Sequence, residues 1–198
     1  MKRTGYRRTT WLVVMMACFL CATSHAFPTL VGIRLVSPDG TVLLSFKQHE
    51  VVTKNGTYTV QRWGENRLKL IEKSTRRGVF LKRFGIKLMI RDLKGNLLHI
   101  IRKEGRIYRV ESPVGAHLMF IKIANGTVTV FREEGSPLYT LTPQSKAVVM
   151  KDKGGKLVYT LKGDTDLYPA SFLCIPELTW EERAACYLLY KTIPFADQ

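Results

Sequence analysis

The sequence predicts an all-β domain with one C-terminal helix, an antiparallel meander of about a dozen strands. Three observations carry this. From Leu30 onward, apolar and polar residues alternate in short runs cut by turn signals, as antiparallel strands require. Once the N-terminal leader is set aside, the clear helix is Thr179–Tyr190, TWEERAACYLLY. A chain of 198 residues with no Pro/Gly/Ser-rich linker is long enough for one domain with a sizeable core. The expected division is therefore a signal peptide, 1–26, and a single β domain, 27–198.

The leader is read from its three-part pattern. Lys2, Arg3, Arg7 and Arg8 form a basic start, Trp11 to Leu20 an apolar run, and Ser24-His25-Ala26 a small-residue cleavage site before Phe27. The apolar run is shorter than the roughly 20 residues that cross a bilayer. Cleavage and export to a periplasmic or extracellular space follow, with an uncleaved N-terminal anchor as the alternative.

The strands follow in order, each bounded by its turn. Leu30 to Val36 meets Ser37-Pro38-Asp39-Gly40, and Thr41 to Phe46 returns. Val51 to Thr53 turns at Lys54-Asn55-Gly56 into Thr57 to Trp63, and Arg67 to Lys73 follows. Val79 to Phe84 and Ile86 to Asp92 flank Gly85, where a bend or bulge is expected. Lys94-Gly95-Asn96 leads into Leu97 to Lys103, and Glu104-Gly105 into Arg106 to Glu111. Ala116 to Ile123 and Thr127 to Phe131 join at Asn125-Gly126, a dipeptide suited to a type I′ hairpin. Pro137 to Thr142, Lys146 to Lys151 and Lys156 to Leu161 complete the series. The acid-to-glycine turns at Asp39, Asp92 and Asp152 repeat at uneven spacing, which reads as recurring hairpin chemistry without a fixed period.

The helix is signed at both ends. Thr179 and Glu182 make a capping box, and Lys191 suits the negative end of the helix dipole before Pro194 stops the helix. From Ala184 to Tyr190 every residue is apolar, so this stretch needs protein on all sides. A barrel around the hydrophobic helix 180–190 or a sheet packed on it would supply that. Cys174 and Cys186 are the two cysteines beyond the leader. In an oxidising compartment they are a candidate disulfide; the alternative is two buried free thiols.

Strand, Asp-x-x-Gly turn and strand, repeated and followed by an apolar helix, resembles the tubby C-terminal-like fold. That fold is shared by tubby, phospholipid scramblase and LURP-one-related proteins. The resemblance is carried by the turns at Asp39-Gly40, Asp92 to Gly95 and Asp152 to Gly155, and by the helix Trp180 to Tyr190. It spans roughly Leu30 to Tyr190 and implies a β-barrel enclosing a central helix. No functional motif of that family is matched, so no residue role comes with it.

Charge is the most informative functional feature. Of the formal +15, residues 62–109 hold 15 basic against 4 acidic residues, while 110–198 hold 9 against 10. Within that segment Arg67, Lys69, Lys73, Lys82, Arg83, Lys87, Arg91, Arg102 and Lys103 are the candidate binding residues. They alternate with apolar residues on neighbouring strands, so one sheet face is expected to be cationic. Such a face suits a lipid surface, a polysaccharide or an acidic protein; the plain alternative is a solvated face that keeps the protein soluble. Nucleic acid is disfavoured, because no recognition motif is present and Trp63, Phe80, Phe84 and Tyr108 are expected to point into the core.

Other chemistry is not signalled. His49, His99 and His117 lack metal-ligand spacing, and the sequence holds no G-x-S-x-G elbow, phosphate loop or dinucleotide fingerprint. Asn55-Gly56-Thr57 and Asn125-Gly126-Thr127 match glycosylation sites, but turn chemistry explains both. No catalytic residue, metal or cofactor is assigned. The expected function is an exported binding or structural module with a basic face for an anionic partner, with peripheral membrane contact included. The competing readings are a secreted enzyme with a site at the barrel mouth and a self-associating subunit, the oligomeric state being open.

Overall fold

A computed structural model describes residues 30, 32–132, 135–164 and 166–192. The expected signal peptide 1–26 and helix stop Pro194 lie outside the described residues. The chain opens with β1 (Arg34–Val36), β2 (Val42–Lys47), β3 (Glu50–Thr53), β4 (Gly56–Arg62) and β5 (Arg67–Glu72). It continues through β6 (Gly78–Phe84), β7 (Lys87–Asp92), β8 (Leu97–Glu104), β9 (Ile107–Glu111) and β10 (His117–Ala124). The last strands are β11 (Thr127–Arg132), β12 (Pro137–Gln144), β13 (Ala147–Asp152) and β14 (Leu157–Lys162). Two helices follow, α1 (Leu167–Phe172) and α2 (Trp180–Thr192).

The 14 strands close into one barrel in which each pairs antiparallel with its chain neighbours and β1 pairs with β14. The expected strands are present within one or two residues of their predicted bounds, except that β1 starts at Arg34 rather than Leu30. Gly85 is not a bulge. Phe84 pairs with Lys87, so Gly85-Ile86 is a two-residue reverse turn, with positive φ at the glycine alone.

The uneven turn spacing conceals a regular period. The buried rows Leu81, Ile101, Ile121, Leu141, Leu161 and Leu70, Ile90, Val110, Val130, Met150 each recur every 20 residues. At one barrel end the positive-φ turn residues Gly85, Gly105, Asn125 and Ser145 keep the same interval. At the other end the N–H groups of Gly95, Gly115, Gly135 and Gly155 donate to the carbonyls of Asp92, Ser112, Arg132 and Asp152. Only two of those four turns begin with aspartate, so a search for acid-to-glycine turns skips two copies. Register shifts at Ile90/Arg91, Val130/Phe131 and Met150/Lys151 repeat a bulge that bends the sheet toward closure.

Both helices lie inside the barrel. The inward rows of the strands and nearly all of α2 form a single buried cluster, so the enclosed-helix alternative is the one adopted. The capping box is made: the Glu182 N–H donates to Thr179 Oγ1 at 3.4 Å, and the Thr179 N–H donates to Glu182 Oε2 at 2.7 Å. The N-terminus of α2 sits near Trp180, Tyr159 and His99, at the end closed by the 92–96 and 152–156 turns. Its C-terminus reaches Asp164 and Asp166 at the opposite end, here called the mouth. The chain also enters there, with Gly32 against Gly163 and the Phe46 N–H donating to the Ile33 carbonyl. The tips Trp63–Asn66, Gly85-Ile86 and Gly105-Arg106 belong to the mouth.

The candidate disulfide is not formed. Cys174 and Cys186 are both free and buried, and the Cys174 thiol lies 3.0 Å from Met150 Sδ. Burial pushes both thiols well above their ordinary range. Each serves as a small apolar side chain in the packing between helices and barrel wall.

Candidate basic face and mouth of the barrel

Strand alternation sorts the nine expected basic residues into three places. Leu68 and Leu70 on β5, Val79 and Leu81 on β6 and Leu88 and Ile90 on β7 fill the inward positions, so their neighbours face out. Arg67, Lys69, Lys82, Lys87, Arg91 and Arg102 therefore share the outer face of β5–β8. They form cross-strand neighbours: Arg67 opposes Lys82, and Lys87 opposes Arg102, which in turn opposes Arg109 on β9. Arg83 and Lys103 have the parity of Leu81 and Ile101, which places them on the inward rows at the mouth. Lys73 lies beyond β5 at the far end, bonded to Glu50.

The outer cations are not equally engaged. Arg102 Nε donates to Glu111 Oε2 at 2.8 Å, Arg109 pairs with Glu104 at 2.9 Å, and Arg91 donates to the Gly95 carbonyl at 2.7 Å. Among the described residues, Arg67, Lys69, Lys82 and Lys87 have no carboxylate partner. Like charges directly opposite each other, as in Arg67–Lys82, work against pairing of the strands, so these positions carry a cost that burial of the inward row offsets.

The aromatic residues of this segment part company. Tyr108 is in the core, as expected, but Trp63 and Phe84 are 47% and 48% exposed and Phe80 takes an outward position on β6, so these three correct that expectation. Phe84 has the outward parity of Phe80 and Lys82, and Trp63 follows β4 in the tip before β5. Their rings are covered by cations instead of core: Lys82 Nζ lies 4.1 Å from the Phe84 ring centre and Lys69 Nζ 5.1 Å from that of Trp63. Trp63, Arg67, Lys69 and Phe80 line an outer groove of about 320 Å³ that runs toward the 92–95 turn. Asp92 at its edge is held below the ordinary carboxylate range by Asn96 and the turn N–H groups, and is thus committed to its own turn.

The chemistry available on this face is electrostatic attraction through cations that have no carboxylate partner among the described residues. Lysine and arginine at mid-strand on the outside are incompatible with a lipid-facing apolar belt around the barrel. No helix among the described residues is long and apolar enough to cross a membrane, and no group of three metal-ligating side chains occurs among them. Sequence reasoning missed the accessible tips Trp63, Phe84 and Ile86. The signal for them was a Gly beside each tip, which marks a turn even when the next residue is apolar.

A second constellation, inside the barrel, is structural. His99 Nδ1 lies 3.1 Å from Glu182 Oε1 and so binds the wall to the start of α2. Arg183 donates to the carbonyls of Leu178 and Leu173 and stacks 4.6 Å from the Trp180 ring. At the mouth, Asp164 accepts from the Tyr187 hydroxyl and, at 2.9 Å, from Lys191. Compared with known protein families, curated proteins and solved structures, the chain matches none.

Proposed function

We propose that this protein is an exported binding module that docks on an anionic partner through the outer face of β5–β8. The observation that supports this is the set Arg67, Lys69, Lys82 and Lys87, which lie on adjacent strands without carboxylates between them. A face meant only for solubility would intersperse both signs, as the chain does over 110–198. Each such cation contributes about 1 kcal/mol at an anionic surface, so four acting together hold a protein there at low ionic strength. The attraction weakens as salt shortens the Debye length.

The test is retention on a sulfated polysaccharide matrix and on anionic vesicles, at low and physiological salt. Binding that falls with salt and is weakened about 30-fold by Lys82→Gln with Lys87→Gln supports the reading. No binding at low salt, or binding indifferent to those two substitutions, overturns it.

A further inference from the structure

We propose that the barrel mouth around Trp63, Phe84 and Ile86 is a membrane-docking edge. It seats these three side chains in the interfacial zone of an anionic lipid bilayer while the neighbouring lysines and arginines meet the headgroups. This rests on the reading of the basic face above and names one partner for it.

The internal repeat shows how unusual the tips are. Counting by 20, the counterparts of Phe84 are Glu104, Ala124 and Gln144, and those of Ile86 are Arg106, Gly126 and Lys146. The tips at 105–106, 125–126 and 145–146, at this same end, are polar, as turns facing water usually are. On the β6–β7 hairpin the same backbone turn carries Phe84 and Ile86, 48% and 45% exposed, and Trp63 at 47% tops the hairpin beside it. Single exposed hydrophobics are ordinary; three on adjacent tips of one end form a patch that calls for a covering partner.

Three facts point to a bilayer as that partner. Trp and Phe flanked by basic residues are the side chains of the membrane interface, an apolar body below and a charge at headgroup level. Here Phe84 opposes Lys87 and lies under Lys82, and Arg67 opposes Lys82. The acids on these hairpins and the next are Glu65, in the Trp63 tip, and Glu104, which is bonded to Arg109; Asp164 and Asp166, also at the mouth, are paired with Lys191. The described chain also enters the barrel at this end, directly after a leader whose Trp11–Leu20 run is apolar. A second copy would bring the same surplus of positive charge to the contact, and a soluble polyanion would leave the three apolar tips in water.

Among the described residues the barrel is closed and its buried cluster runs from Leu30 to Tyr190, so the chain from Phe27 onward is the unit to test. It keeps two tryptophans, and Trp180→Phe leaves Trp63 as the single reporter. The probes are phosphatidylcholine vesicles with and without phosphatidylserine, carrying a nitroxide-labelled lipid, with the sulfated polysaccharide matrix alongside. The expected result is binding to the serine-containing vesicles, with Trp63 emission shifted to the blue and quenched. Phe84→Ser with Ile86→Ser should reduce that binding about 10-fold and leave matrix retention unchanged. Because both side chains are half in solvent, that variant should melt with the parent, while Trp63 quenching reads insertion without it. Vesicle binding without quenching and indifferent to the serine variant overturns the proposal and leaves the basic-face reading standing. Matrix retention with no vesicle binding does the same. Failure of both overturns the two together.

Discussion

Asp164 and Glu182 hold the two ends of helix α2, and both are carboxylates in largely apolar surroundings. Burial raises each, but the Tyr187 hydroxyl and Lys191 at Asp164, and His99 and the Thr179 N–H at Glu182, outweigh it and hold both below the ordinary range. A carboxylate with a depressed folded value adds stability above its unfolded value and loses it as pH falls through the folded one. Unfolding followed by denaturant should therefore show stability dropping below about pH 4, and Asp164→Asn should cost about 1–3 kcal/mol at neutral pH and flatten that drop. Lys191 works in the opposite sense: burial lowers it, Asp164 and Asp166 raise it further, and its contribution is lost at strongly alkaline pH. An acid limb identical in the asparagine variant would mean Asp164 does not brace the helix. The cysteines allow a second check at this scale. With both thiols buried and pushed up, neither should react with a thiol reagent until the protein is unfolded. Fast reaction of the native protein would show the packing around α1 and α2 to be open.

Helix α2 is the element on which the barrel is packed. Ala184 to Tyr190 are buried on every side, so its stability comes from contact with the wall and not from one amphipathic stripe. Leu188→Asp places a charge in that contact and should leave no cooperative thermal transition, because the cost of burying an unpaired charge is comparable with a whole domain's stability of about 5–15 kcal/mol. A folded variant of normal melting temperature would mean the helix is peripheral. Helix α1 shows the other side of local reading. Its six residues, with Pro169 in the first turn, are too short for a periodic pattern. Asp166 caps it, accepting from the Tyr168 N–H at 3.3 Å, and Pro169 to Phe172 are buried by the wall. Its conformation follows from that packing.

At the scale of the whole molecule, closure is the decisive property. β1 is only three residues long, yet it joins β14 to β2 and leaves the barrel without an edge. A chain starting at Ser37 would expose the edges of β2 and β14. It should elute as concentration-dependent oligomers in size-exclusion chromatography where the chain from Phe27 elutes as one species. A well-behaved truncated protein would mean that the core holds the wall in place without the final pairing. Closure also explains the location of the basic segment. Consecutive hairpins occupy consecutive sectors of the wall, so a charge surplus confined to residues 62–109 becomes a single sector of the outer surface.

Periodicity, turn chemistry and capping are local properties, and the strands, their order and the start of α2 could be read from them. The Asn125-Gly126 turn and the Thr179–Glu182 box each depend on residues within one turn of each other. What crosses the molecule was not legible. His99 and Glu182 are 83 positions apart, and nothing local marks them as partners. The 20-residue period was written in buried positions such as Ile101, Ile121 and Leu141, while the visible turn residues varied. The polarity of Glu182-Arg183 gave no sign that the helix start could be enclosed; the wall provides the partners that make it so. Alternation assigned the faces of strands, but the direction of a residue in a tip depends on the turn around it. That is why Trp63, expected in the core, stands at the mouth of the barrel, whereas Phe84, also expected in the core, faces out by the alternation it shares with Phe80 and Lys82 on β6.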